Sequence, residues 1–155
     1  MKLSTRTRYG TRALLELALH QGKEPVSLKD IARQQQISLP YLEQLIAPLV
    51  AGGIVRSTKG PRGGISLARE PEDIRLIEIT QLLEGSMAPV RCVDDPAVCQ
   101  RSGDCAARDV WSELEGVINT YLQGTTLQDL AAKQRSKGQV IRELQQVKGG
   151  QGDGG

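Results

Sequence analysis

The residues most able to do chemistry in this sequence are three cysteines, Cys92, Cys99 and Cys105. They lie within 14 consecutive residues, with six and five residues between neighbours, and the chain has no others. In a reducing cytoplasm, clustered thiols favour metal binding or redox chemistry over a disulfide framework. The spacing differs from the tight cysteine pairs of a zinc ribbon. Evenly spaced thiolates on a loop can surround a group larger than a single metal ion. An iron–sulfur cluster is such a group, and cysteine is its usual ligand.

The sequence leaves the rest of such a site open. A cluster normally takes four protein ligands, and no fourth is obvious. His20, the only histidine, lies far along the chain, where it suits the C-terminal dipole of the first predicted helix. Structural zinc and metal-free thiol sensing remain alternatives. Nearby oxygen donors are interpreted as solvated loop charges or helix caps: Asp94, Asp95, Asp104 and Asp109.

Positive charge is concentrated in two short segments. The net charge is only +2, yet the first 12 residues carry four basic residues and no acidic one. A second basic group, Arg56, Lys59 and Arg62, lies in a glycine-rich stretch. Local clusters of basic residues in a chain whose positive and negative charges nearly balance indicate a sequence-specific DNA-binding protein rather than a general binder of polyanions.

The elements that must position these groups are predicted from periodicity and caps. Apolar residues at steps of three and four predict helices over 6–20, 27–36 and 38–51, with only a tight turn between the last two. Two short β-type runs flank KGPRGG, which predicts a hairpin over 54–69. Two helices joined by a tight turn and followed by a hairpin are typical of a winged helix-turn-helix.

The third helix is predicted to enter the major groove. Its apolar stripe occupies one face, so the first turns of the opposite face are free for base edges. A glutamine there can form a pair of hydrogen bonds with adenine, and a glutamate can accept a hydrogen bond from cytosine. Because phosphates repel the glutamate carboxylate, DNA sequences that offer it no donor are disfavoured. The DNA-facing candidates are Ser38, Pro40, Tyr41, Glu43 and Gln44.

The tip of the hairpin is predicted to reach the minor groove. Lys59 and Arg62 carry positive charge to a region of negative potential, and glycines such as Gly63 let the backbone approach closely. Each phosphate contact would also steepen the salt dependence of binding.

The predicted fold class is mainly α with a small β-hairpin wing and a long dimerisation helix. Residues 1–85 form the winged helix-turn-helix, 86–105 the cysteine loop, and 106–135 the dimerisation helix with a short final helix. Residues 136–155 are predicted to be a polar, disordered tail. No apolar run is long enough to span a membrane and no signal peptide is evident, so a cytoplasmic protein is expected.

Other functional classes find less support. The chain has no glycine-rich nucleotide loop after a strand, no Ser/His/Asp set and a single histidine, so an enzyme is not expected. An adaptor that binds another protein through its long helix would explain that helix. It would not explain the basic residues of the hairpin.

The sequence resembles the Rrf2 family of winged-helix regulators, in the branch typified by IscR. The resemblance rests on MKLSTRTRYGTRALLELALH, on ISLPYLEQLIAPLVAGGIVRSTKGPRGGISLA and on three cysteines before a helix containing Trp111, and it extends to about residue 132. It implies a homodimer crossing through the long helix and bound to a palindromic double-stranded operator. It also implies a cluster, commonly 2Fe–2S, on Cys92, Cys99 and Cys105, and a repressor that controls cluster-biogenesis genes.

Two departures from that branch leave the fourth ligand and the cluster type open. Arg108 stands where such members often carry a histidine, and arginine is no ordinary ligand. The first gap between cysteines is one residue longer than in the commonest pattern. Related nitric-oxide sensors use an acidic ligand from the partner's first helix, where this chain has Arg8. A cluster-free branch that controls cysteine metabolism shares the YLEQLIAPL stretch and is one alternative. A nitric-oxide or redox sensor of the same family is another.

Overall fold

The computed structural model describes residues 2–149 and confirms a mainly helical chain with one hairpin. No helix in this range combines the length and apolar character needed to cross a membrane. Three short 3₁₀ turns, Pro71–Asp73, Pro96–Val98 and Ser102–Asp104, separate some of the elements. The helices and strands are α1 (Thr5–Leu19), α2 (Leu28–Gln35), α3 (Leu39–Ala51), β1 (Val55–Thr58), β2 (Gly64–Leu67), α4 (Leu76–Leu83), α5 (Arg91–Asp94), α6 (Ala106–Gly124) and α7 (Leu127–Gly149).

The turn between α2 and α3 forms as the sequence predicts. Gln36 closes α2 in the left-handed conformation, with a φ of 56°. Ser38 then caps α3, because its Oγ accepts a hydrogen bond from the amide of Tyr41 at 3.2 Å. Pro40 lies in the first turn, where a missing N–H leaves no hydrogen bond unmade. Two short helices are thereby fixed at a defined angle.

The wing is an antiparallel pair of strands, packed on the helices through Val55, Ile65 and Leu67. Val55 pairs with Leu67 and Thr58 with Gly64. Val26 and Ile65 also exchange two backbone hydrogen bonds of 2.9 Å each, so the segment before α2 adds a third, single-residue pairing. The base of the wing is therefore held by both strands and by the entry to α2.

A single apolar core joins the winged helix-turn-helix to the beginning of α7. Leu127 and Ala131 are fully buried against the same cluster as the helices and the hairpin. The side chains with no exposed surface include Leu14, Ile31, Leu42, Leu49, Ile54, Ile74 and Ile79.

The C-terminal segment corrects the predicted short final helix and disordered tail. α7 continues through residue 149 instead of ending near 135. The composition after residue 136 is polar, but Val140, Ile141, Leu144 and Val147 recur at helical spacing and form a stripe that the composition conceals. Residues 150–155, the remainder of the predicted tail, lie outside the described residues.

A carboxylate ties the end of α4 to the beginning of α1 across 80 residues of sequence. Glu84 accepts a hydrogen bond from the hydroxyl of Thr7, and it accepts two more from Ser4, from Oγ at 2.7 Å and from the amide at 3.2 Å. The Thr7 hydroxyl, followed by the Ser4 groups and the charge of Arg6, holds the pKa of Glu84 below its ordinary value, against the opposing effect of burial. This contact fixes α1 beside the segment that leads into the cysteine loop.

Replacing Glu84 with glutamine is expected to lower the melting temperature at neutral pH, and the difference from the native chain should shrink below about pH 4. The folded-state pKa is lowered, so the carboxylate stabilises the fold above its ordinary pKa and loses that effect as the pH falls through the folded value. Thermal unfolding followed by circular dichroism between about pH 3 and 7 measures this. Glu72→Gln, on an exposed turn, is the matched control, and an equal pH profile for both variants would contradict the assignment.

Candidate nucleic-acid interface and cysteine loop

The outer face of α3 is free for contact, as the sequence predicts. Ser38, Pro40, Glu43 and Gln44 are exposed. The opposite face packs Leu42, Leu45, Ile46 and Leu49 into the interior. The helix thus presents hydroxyl, carboxylate and amide groups from a rigidly held scaffold, which suits the reading of base edges.

Tyr41, the fifth predicted contact of α3, also has a structural role. Its ring is half-buried and meets the ring of Tyr9 edge to face, with centroids 6.3 Å apart. The guanidinium of Arg12 lies 5.7 Å from the centre of the Tyr9 ring. These contacts brace the beginning of α3 against α1. The helical periodicity of α1 gave no sign that Tyr9 would meet α3.

The wing tip presents its two cations to solvent. Lys59 and Arg62 are exposed. The Arg62 guanidinium is 4.0 Å from the Glu24 carboxylate, and both side chains are mostly exposed, so this pair contributes little energy and leaves Arg62 free to contact phosphate. A side chain at Gly63 would place its Cβ 2.3 Å from the Thr58 carbonyl oxygen. Glycine is therefore required there by the turn itself, whether or not DNA approaches.

A groove of about 400 Å³ separates the wing from the beginnings of α2 and α3. Glu43 and Gly63, two predicted contacts, line it from opposite sides. Ser27, Lys29, Ser57 and Thr58 complete the polar part of its lining, and the sequence did not indicate them as DNA contacts. The groove brings recognition-helix and wing residues together on one surface, which is the arrangement that a duplex spanning both would require.

The three cysteines follow one another along a loop of short turns. Cys92 lies in α5 and is half-buried, Cys99 is exposed, and Cys105 is half-buried at the residue before α6. All three are free thiols. Within residues 2–149, no three cysteine, histidine, aspartate or glutamate side chains converge closely enough to hold a metal ion. The donor types suit an iron–sulfur cluster, but the loop must close to bring the donors together.

The hydrogen bonds recorded for this loop are mostly local. Ser102 donates to the carbonyl oxygens of Pro96 and Cys99 at 2.7 and 2.8 Å. One longer link comes from Arg108 in α6, whose Nε donates to the Cys92 carbonyl oxygen at 2.8 Å. Arg108 therefore holds the backbone of the first cysteine against α6, where a histidine would have offered a ligand. The loop can reorganise with little effect on the core.

α6 carries an apolar face that stays uncovered within residues 2–149. The exposed fractions of Val110, Val117 and Tyr121 are 55%, 66% and 62%. An exposed apolar face of this kind has the character of an interface between chains.

Comparisons with known proteins agree with this geometry. The sequence profile of the Rrf2 family, described as an iron-dependent transcriptional regulator, matches residues 3–133. Protein rrf2 of Nitratidesulfovibrio vulgaris is 45% identical over 130 residues, which is 84% of this chain and 87% of that protein. The structure of CymR (YrzC), the global cysteine regulator of B. subtilis, matches with a TM-score of 0.73 and 38% identity, covering 86% of this chain and 98% of that one. T. potens IscR gives a TM-score of 0.70 and 40% identity, covering 86% and 88%.

Proposed function

Because this chain belongs to the Rrf2 family of DNA-binding transcription regulators, we propose that it is a homodimeric repressor that senses iron–sulfur cluster status. In this proposal Cys92, Cys99 and Cys105 hold the cluster, and the regulated genes are those of cluster biogenesis. The family is one of regulators rather than enzymes. The observation that carries the proposal is the position of three free thiols on the loop between the DNA-reading domain and the exposed α6.

The DNA-binding part of the proposal assigns roles to the exposed groups of α3 and the wing. Glu43 and Gln44 face base edges in the major groove, with Ser38, Pro40 and the free part of Tyr41 beside them. Lys59, Arg62 and the Gly63 backbone follow the adjacent minor groove. Two copies related by a two-fold axis would read the two halves of a palindrome.

The sensing part of the proposal depends on closure of the cysteine loop. Cys92, Cys99 and Cys105 would hold a cluster of the 2Fe–2S type implied by the resemblance, which would supply an oxidation-sensitive group; without it the three thiols would not tie the loop together. Cys105 directly precedes α6 and Arg108 links α6 to Cys92, so closure of the loop acts on the first turn of α6. That coupling would change how two recognition helices are spaced across a dimer.

We expect Cys92→Ala to abolish the visible absorption of anaerobically purified protein, with a matching loss of iron and sulfide, and to leave the far-ultraviolet circular dichroism unchanged. Cys92 is half-buried and outside the core, so its removal takes away a ligand rather than a packing group. Val98→Ala, an exposed position in the same loop, is the control and should keep full colour. Full colour in Cys92→Ala would refute the ligand assignment.

Arg62→Gln is expected to weaken operator binding by several-fold and to lower the slope of log affinity against log salt by about 0.9, the value for one phosphate contact. The side chain is exposed and only loosely paired with Glu24, so the fold should not change. Fluorescence anisotropy with a labelled operator over a range of salt measures both quantities. Arg101→Gln, on the cysteine loop, serves as the control, and an equal slope for both variants would remove the wing tip from the interface.

A cluster-free repressor of cysteine metabolism is the second candidate. The CymR structure, described as that of a global cysteine regulator, matches with a TM-score of 0.73, and the YLEQLIAPL stretch resembles the cysteine-metabolism branch, which supports it. Protein that stays colourless after anaerobic reconstitution with iron and sulfide, yet binds an operator, would support this candidate. The three thiols would then act through zinc or through their own oxidation, as in a redox sensor.

A further inference from the structure

We propose that residues 132–147 of α7, here called the C-terminal arm, dock on α6 of a second copy of this chain. The arm begins directly after Ala131, the last buried residue of the core. Nearly all of it lies beyond residue 133, where the family match ends. The inference rests on the homodimer proposed above and adds a contact to it.

The arm carries an apolar stripe that faces away from its own fold. Val140, Ile141, Leu144 and Val147 are 51%, 54%, 60% and 67% exposed. At about 100° per residue, this stripe is rotated by roughly a third of a turn from the face through which Leu127 and Ala131 enter the core. A lone helical segment of this length is only marginally stable in water, so a continuous helix with an apolar stripe calls for a partner.

α6 offers a groove of matching character. The groove measures about 580 Å³ and is lined by Glu113, Gly116, Val117, Thr120 and Tyr121. Its floor is Gly116, and a Cβ added there would meet nothing within 4 Å in the same chain. The missing side chain lets another helix approach closely, so large apolar residues of the arm can fill the space.

The charges of the two helices favour α6 of a second copy, rather than a second arm or DNA, as the partner of the arm. The arm has four basic residues and one acidic residue, whereas α6 has one basic residue and three acidic ones. Two arms would repel each other, but an arm and an α6 attract. Glu113 lies at one end of the groove, and Lys137 continues the stripe of the arm by one turn toward its beginning. DNA would attract the basic residues of the arm, but it would leave the apolar stripe uncovered.

Photocrosslinking in the full-length protein tests this directly. The crosslinker p-benzoylphenylalanine replaces Leu144, light and isotopically heavy chains are mixed, and the crosslinked tryptic peptides are identified by mass spectrometry without DNA. The expected product joins a light chain to a heavy one through the peptide of residues 109–133, which contains residues 109–124 of α6. The same crosslinker at Gln146, on the opposite side of the arm, should give little of it. Crosslinks within one chain only, or to another region, would overturn the inference.

Two further variants separate this contact from the dimer itself. Removing residues 134–155 keeps Leu127 and Ala131 and is expected to raise the dimer dissociation constant about tenfold or more in sedimentation equilibrium. Gly116→Leu should give a similar weakening, since it fills the groove without touching its own chain. A full-length chain that is monomeric would refute the proposed homodimer. A truncated chain that dimerises as tightly as the full one, with or without weaker DNA binding, would refute only the arm.

Discussion

Val117→Asp is expected to turn the protein into a monomer and to lower its affinity for a palindromic operator by about 100-fold or more, the range typical when two linked binding events become one. Val117 is 66% exposed in the single chain, so aspartate costs the isolated fold little. In the proposed dimer the same position is covered, and an unpaired carboxylate buried between apolar side chains is strongly unfavourable. The large loss of affinity is expected because Val117 is exposed in the single chain and covered in the proposed dimer.

The measurement combines sedimentation velocity with operator binding. Ser112→Asp is the matched control, because it adds the same charge to an exposed position of α6 on the side away from the apolar face. It should stay dimeric. A Val117→Asp chain that sediments as a dimer would show that α6 does not form the interface.

Gly64→Ala is expected to destabilise the protein by about 2 kcal/mol and to weaken operator binding about tenfold as the wing moves. The added methyl group would lie 2.3 Å from the Val26 carbonyl oxygen, which is backbone and cannot rotate aside. Either β2 separates from Val26, breaking two hydrogen bonds of 2.9 Å, or the entry to α2 shifts. In both cases the wing changes its position relative to α3.

Urea unfolding and anisotropy on the same preparations test this effect. Gly103→Ala is the control, since a Cβ at Gly103 meets nothing within 4 Å, and its unfolding midpoint should stay close to that of the native chain. A Gly64→Ala protein with native stability would contradict the steric conflict between the added methyl group and Val26.

Local signals predicted the DNA-reading half of the molecule well. Ser38 and Pro40 mark the beginning of α3 because capping and a fixed φ act within one turn of the chain. The hairpin follows from β-type residues on both sides of KGPRGG. These features depend on neighbours in sequence, so they are visible before any fold is known.

Contacts between distant segments were not predictable in the same way. The Glu84 link joins residues 80 positions apart, and the Tyr9–Tyr41 pair depends on how α1 crosses α3. Gly64 was interpreted only as part of a glycine-rich hairpin tip, whereas the structure shows that the backbone of Val26 lies too close to Gly64 for a side chain. The sequence predicted a disordered tail in place of the arm. That prediction was based on the polar composition and did not take account of four apolar residues at helical spacing. For the cysteines, the sequence indicates the donor types but not their distances, which depend on how the turns of the loop fold.

The self-contained hydrogen bonding of the cysteine loop has a consequence for how such a protein evolves. Ser102 and its neighbours hold the loop largely through contacts within the loop, and a single arginine links it to α6. Insertions, deletions or the loss of a cysteine in this segment would therefore leave the inherited DNA-reading domain intact. A lineage can exchange one chemical input for another while keeping the same operator and the same regulated genes.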